Sequence, residues 1–173
     1  MAGGHERAGE SLTVRMRRLE LRRHAHRDPS VDRLSAKGRA QAEDLGRAAG
    51  LTEPYTNVFV SPAGRAAETA AWILRGAYGS LPPDHAVIPG LAGMGSGGGL
   101  PEAMVAGVKA LLDQVPEGGR GLAISHTPFV ERAALGLTGR EPAPFAECEG
   151  ILVTALDDGT IAVEELRLGG EVA

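Results

Sequence analysis

The sequence predicts an α/β fold: a three-layer α/β/α sandwich with a mostly parallel central sheet and an antiparallel hairpin at one edge. Three observations predict it. Short apolar, β-rich runs alternate with helix-periodic segments through most of the chain, the pattern of parallel strands joined by helical crossovers. Two alternating runs near the end, Ile151 to Leu156 and Ile161 to Leu166, flank Asp157-Asp158-Gly159-Thr160, which reads as a hairpin. The 173 residues, 43% of them hydrophobic, suit one domain with a substantial core.

Residues 1–15 are Gly- and charge-rich without a period and are expected to form a flexible tail, leaving 16–173 as a single domain. Leu19-Glu20-Leu21 reads as the first strand. Ser35 is placed to cap a helix over about 36–49, where Ala42, Leu45 and Ala49 recur at helical spacing and Gly50 stops it. Val58-Phe59-Val60 is a buried strand ending at Ser61-Pro62, and a helix over about 63–75 follows, with Ala67, Ala70, Ala71 and Leu74 on one face. Ala86-Val87-Ile88 reads as a third strand, stopped by Pro89-Gly90. Residues 90–99 are nearly all small and are expected to be a flexible loop, neither helix nor strand. A helix over about 101–114 starts on Pro101, Gly121 to Ile124 is a fourth strand ending at Ser125-His126, and a last helix covers about 128–137.

The net charge of −4 argues against a general nucleic-acid binder. No apolar run is long enough to span a bilayer and no signal-peptide stretch opens the chain, so no membrane association and a cytoplasmic location are expected. The single cysteine, Cys148, cannot form an intramolecular disulfide. Between Glu147 and Glu149 it reads as structural or incidental. Trp72 and Phe129 read as core residues.

Three strands end in polar residues of related kind: Arg22-Arg23-His24, Ser61 leading to Arg65, and Ser125-His126. In an open parallel sheet the carboxyl ends of strands share one edge, where ligands gather, so the fold is expected to bring Arg23, His24, Arg65 and His126 together. That set suits a phosphate. Guanidinium groups offer planar, two-pronged donors to phosphoryl oxygens, and two imidazoles offer a nucleophile and a further donor. Thr127 could add a backbone or hydroxyl donor. No cluster at metal-ligand spacing is evident, so no metal and no cofactor are expected. Each residue also has a plainer reading: His24 as a surface histidine, His126 as a helix cap, Arg65 as a helix-face ion pair with Glu68 or Glu43. Arg22, His26 and Arg27 read as solvated charges rather than rim residues.

Arg23-His24-Ala25 resembles the Arg-His-Gly motif of the histidine phosphatase superfamily, also called phosphoglycerate mutase-like. Leu34-Ser35-Ala36-Lys37-Gly38-Arg39-Ala40-Gln41-Ala42 resembles that family's Leu-Thr-x-x-Gly-x-x-Gln-Ala pattern. Ser61-Pro62-Ala63-Gly64-Arg65-Ala66-Ala67-Glu68-Thr69-Ala70 resembles its Ser-Pro-x-x-Arg-Ala-x-x-Thr-Ala segment, and Ile124-Ser125-His126 its second histidine strand. The motifs stand in family order across about 19–137. The short length and the stretch Ile124 to Val130 resemble the SixA branch, small phosphohistidine phosphatases.

The resemblance implies a phosphoglycerate mutase-like fold and a metal-independent phosphatase. His24 would become phosphohistidine, Arg23 and Arg65 would bind the phosphoryl oxygens, and His126 would donate to the same oxygens, more usefully as a cation. The partner would be a phosphorylated small molecule or a phosphohistidine protein. Many members also carry a glutamate, after the third strand, that protonates the leaving alkoxide. Here that stretch is the Gly-rich loop 90–99, and Glu102 is the first carboxylate beyond it. Three readings stay open: hydrolysis of a bond whose leaving group needs little help, a phosphate-binding module with little turnover, and a sugar-phosphate mutase. Oligomeric state has no signature in the sequence.

Overall fold

A computed structural model of the chain describes residues 16–49, 54–79, 85–92 and 100–169. The tail 1–15 and most of the Gly-rich loop, 93–99, lie outside the described residues. The strands are β1 (Arg17–Arg23), β2 (Asn57–Val60), β3 (Ala86–Val87), β4 (Arg120–Ser125), β5 (Gly150–Ala155) and β6 (Ile161–Leu166). The helices are α1 (Ala36–Ala49), α2 (Gly64–Tyr78), α3 (Pro101–Gln114) and α4 (Phe129–Thr138). The sheet order is β3-β2-β4-β1-β5-β6. β1, β2, β3 and β4 run parallel, whereas β5 pairs antiparallel with β1 and β6 antiparallel with β5. The fold is the α/β sandwich the sequence predicts, with the hairpin at its edge.

Strand alternation divides the core in two. Leu19, Leu21, Phe59, Ala123, Ile151 and Val153 point to one face, where α3 brings Met104, Val108, Leu111 and Leu112 and α4 brings Val130, Ala133 and Ala134. Val58, Val60, Leu122 and Ile124 point to the other, against Ala42 of α1 and Ala66, Ala70, Ile73 and Leu74 of α2. Aliphatic side chains therefore fill both layers, as a chain with 3% aromatic residues requires. Trp72 and Phe129 are partly buried against these cores.

Two readings are corrected. The loop after β3 opens with a 3₁₀ turn at Pro89–Ala92, where coil was expected, and Leu91 of that turn is buried. Pro89 suits it, since its fixed φ starts a helical turn. β1 is longer than Leu19 to Leu21 because its charged positions are themselves interior. Glu20 and Arg22 are buried on the face opposite Leu19 and Leu21. The Glu20 carboxylate accepts from Arg22 Nε at 2.8 Å, Tyr55 Oη at 2.9 Å and Arg120 Nε at 2.7 Å. Burial alone would raise its pKa, but Arg22 and Arg120 outweigh that and hold it below the usual carboxylate range. Arg22 is thus no solvated charge; its Nη1 also donates to the Cys148 carbonyl at 2.8 Å. Burial pushes the Cys148 thiol up to about 12, which keeps it inert at neutral pH.

Candidate active site

The parallel register aligns the carboxyl ends of the three central strands. Arg23 pairs with Ser125, and Val60 with Ile124. The ladder runs one residue further on each side, His24 N donating to Ser125 O at 3.0 Å and Ser61 N to Ile124 O at 3.2 Å. His24, Ser61 and His126 therefore leave the sheet side by side.

The turn after β1 is held from both helices of its face. Ala25 N donates to Thr69 Oγ1 of α2 at 3.0 Å, and His26 N to Gln41 Oε1 of α1 at 3.0 Å. Ser35 caps α1 by accepting from Gly38 N at 3.0 Å, and its hydroxyl lies 2.7 Å from His26 Nδ1. Gly38 is required here: a Cβ would stand 2.0 Å from the His26 carbonyl oxygen, so only glycine lets α1 approach this loop. The motif residues Ser35, Gly38, Gln41 and Thr69 thus build the wall that carries His24.

Both imidazoles are buried, each 8% exposed, with ring centroids 5.1 Å apart at 63°. Arg65, from the first turn of α2, lies between them. Its Nε is 3.3 Å from His24 Nε2 and its Nη2 is 3.4 Å from His126 Nδ1. These contacts fix the proton positions. A guanidinium only donates, so both facing nitrogens carry lone pairs. His24 Nδ1 lies 2.7 Å from the Ala25 carbonyl, which only accepts, so Nδ1 holds the proton. In neutral His126 the proton is on Nε2, which donates to Ser61 Oγ at 2.7 Å.

The electrostatics favour the uncharged form of both rings. His24 is held below the ordinary imidazole range by burial first, then by Arg65, Arg23 and Arg27, against the opposing pull of the Ala25 carbonyl. His126 is pushed down to about 4 by burial, then by His24 and Arg65. A buried site already holding a guanidinium disfavours a second cation, and the cationic His126 expected from the sequence belongs to the setting in which an anionic substrate lies beside it. An arriving dianion would reverse that balance.

A stability consequence follows. A folded pKa below the unfolded value means that the unfolded chain binds more protons between about pH 6.5 and 4, so stability rises with pH across that window and is lost on acidification. The unfolding free energy of the wild type should fall between pH 7 and 4.5 by on the order of 1–2 kcal/mol more than that of His126→Gln, measured by urea titration at both pH values. Parallel pH dependence in the two proteins would refute the assignment.

The other expected site residues lie differently. Arg23 turns its Nη1 to the Phe145 carbonyl at 2.9 Å and its Nη2 toward Glu147 at 3.5 Å, while its buried Nε has no hydrogen-bond partner among the described residues. Its guanidinium is near enough to depress His24 but makes no hydrogen bond to it. Thr127 lies in the turn between His126 and α4, half-buried. Glu102 is exposed in the first turn of α3, and among the described residues no hydrogen bond or ion pair joins it to His24, Arg65 or His126. Among the described residues, no group of three or more His, Cys, Asp or Glu side chains is placed to hold a metal ion.

Sequence reasoning missed Asp32 and the Ser61 hydroxyl. The ion-pair partner of Arg65 is neither Glu68 nor Glu43 but Asp32, whose Oδ1 lies 2.9 Å from Arg65 Nη1. Glu68 instead accepts from Leu34 N at 2.5 Å and pairs with Arg39 at 3.7 Å, and Glu43 pairs with Arg47 at 2.8 Å.

Comparison with known proteins agrees with this geometry. The family model described as histidine phosphatase superfamily (branch 1) matches residues 7–92, a span that holds His24, Asp32, Ser61 and Arg65. The chain belongs to the histidine phosphatase superfamily. Solved structures of similar fold include the protein histidine phosphatase SixA complexed with tungstate, with 23% identity, TM-score 0.69, and coverage of 87% of this chain and 96% of that one. A phosphoglycerate mutase from Bacillus anthracis str. Sterne has 16% identity, TM-score 0.71, and coverage of 90% and 95%. A phosphoserine phosphatase mutant from Entamoeba histolytica, in complex with phosphoserine, has 14% identity, TM-score 0.66, and coverage of 90% and 99%. At these identities the likeness is one of fold. A search of curated proteins found no match. In this histidine phosphatase superfamily chain, His126 lies beyond the matched span, and the sheet register brings it to His24.

Proposed function

We propose that the chain is a metal-independent phosphatase that hydrolyses a phosphomonoester or phosphohistidine through a phosphohistidine formed on His24. The observation that carries this reading is the shared placement of Arg65 between two neutral imidazoles whose lone pairs face it. A phosphoryl group entering that space would take over the guanidinium donors and meet the His24 Nε2 lone pair, whose availability the Ala25 hydrogen bond secures. Nε2 attacks phosphorus as the bond to the leaving group breaks. Water then attacks the phosphohistidine, the P–N bond breaks, and the electron pair returns to Nε2. Arg65 and His126 stabilise the charge on the non-bridging oxygens, with Arg23 and the turn at Thr127 as further donors.

The leaving group decides which substrates react. Among the described residues Glu102 is exposed and joined to none of these groups, and departure without an acid from that position favours the nitrogen of phosphohistidine or an activated phosphate. The same observation favours a second reading, a module that holds a phosphorylated ligand without turnover. One experiment separates them. The protein is incubated with an aryl phosphate and EDTA and then quenched. Turnover with an acid-labile, base-stable phosphoprotein is expected, whereas oxyanion binding with no phosphoprotein and no product would leave only the binding module.

A further inference from the structure

We propose that Asp32 is the positioning residue of this site, a carboxylate that clamps the Arg65 guanidinium so that its other two nitrogens face His24 and His126. The inference rests on reading this site as an oxyanion site and extends that reading. Asp32 lies in the loop between β1 and α1, across from the start of α2. Its Oδ2 accepts from Gly64 N at 2.8 Å, and its Oδ1 accepts from Arg65 N at 3.2 Å and Arg65 Nη1 at 2.9 Å. One carboxylate therefore holds both the backbone and the side-chain tip of the same arginine. The residue at the cap position of α2, Ala63, makes no side-chain cap of its own, so Asp32 supplies the cap from another segment.

The distances rank the contacts. The guanidinium has three nitrogens, and each meets a different element: Nη1 to Asp32 at 2.9 Å, Nε to His24 at 3.3 Å and Nη2 to His126 at 3.4 Å. The carboxylate contact is charge-assisted and short, and the imidazole contacts are long. Asp32 is thus the anchor, and the imidazole-facing edge is the exchangeable one, free to pass to phosphoryl oxygens with the plane of the guanidinium already set. An arginine side chain is costly to order, and a fixed fork spends that ordering before the ligand arrives. A stability role explains the pair less well. Asp32 is half exposed and Arg65 about one-fifth exposed, and such pairs contribute little. Asp32 also opposes the groups that depress His126, namely His24 at the end of β1, Arg65 on α2 and Arg27 in the β1–α1 loop.

The test is Asp32→Asn, with Asp32→Ser beside it. Asparagine keeps an oxygen acceptor in reach of Gly64 N, so α2 keeps its start, whereas serine shortens the side chain as well; neither offers the guanidinium a charge. Three readouts are compared with wild type: melting temperature, tungstate affinity by calorimetry, and the His126 imidazole titration by NMR. Melting should stay within a few degrees, tungstate should bind roughly ten- to a hundredfold more weakly in both variants, and His126 should titrate lower than in wild type. Tungstate binding as tight as wild type in either variant, or tighter, would overturn the proposal, as would an unmoved His126 titration. None of these readouts needs turnover. A wild type that binds tungstate but hydrolyses nothing would remove the phosphatase reading and leave the clamp to be judged on its own.

Discussion

His24→Ala is expected to abolish turnover of an aryl phosphate, with kcat/KM falling at least about 10⁴-fold, and to remove the acid-labile phosphoprotein entirely. The size follows from the chemistry proposed. Loss of a charge-stabilising donor slows a step by about 10²- to 10³-fold, but loss of the attacking atom removes the step. The fold should survive, because His24 sits at the end of β1 and its side chain meets only the carbonyl of its neighbour Ala25 and, at a long 3.3 Å, Arg65 Nε among the described residues. Steady-state rates with EDTA present, together with acid and base quenching, check it. Equal turnover in variant and wild type would take the nucleophile role from His24.

Glu20→Ala should have the largest effect on stability, about 3–5 kcal/mol. The carboxylate is 2% exposed and satisfies Arg22, Arg120 and the Tyr55 hydroxyl together. Its removal leaves the Arg22 guanidinium buried without its counter-ion. For a chain of this size that is a fall in melting temperature on the order of 10 °C. Calorimetry at pH 7 measures it. A loss below about 1 kcal/mol would show that the network is hydrated and worth little. Because the folded pKa of Glu20 is lowered, its contribution is complete above the unfolded carboxylate value and disappears as pH falls through the folded one. The effect reaches the site indirectly. Arg22 holds the Cys148 carbonyl, and the same loop carries the Phe145 carbonyl and the Glu147 carboxylate that hold Arg23.

Local signals account for what the sequence made legible. The bounds of α1 and α3 follow from Ser35 as a cap, Pro101 in a first turn and apolar positions at helical spacing. The gathering of His24, Arg65 and His126 follows from a topological rule, that parallel strands deliver their carboxyl ends to one edge. What was not legible depends on partners far apart along the chain. Arg22 reads as a solvated charge until Glu20, Arg120 and Cys148 are seen around it. Asp32 sits among Asp28, Ser30 and Arg33 with nothing to distinguish it, and only the docking of α2 against its loop makes it the ligand of Arg65. The charge state of His126 is likewise a property of burial and neighbours, which residue identity does not encode.

An open cleft of about 490 Å³ lies at the other end of the strands, lined by Arg18, Glu20, Tyr55 and Arg120 among others. It also presents arginines, but six residues of strand, roughly 20 Å, separate it from the imidazoles, which makes it an internal control. The measurement that bears most directly on the central claim is a crystal structure of the protein soaked in tungstate. The account predicts the oxyanion against His24 Nε2, with Arg65 and His126 donating to its oxygens and Arg65 still bound to Asp32. Tungstate seated in the Arg18–Arg120 cleft instead, with the space between the two imidazoles closed to it, would contradict the account.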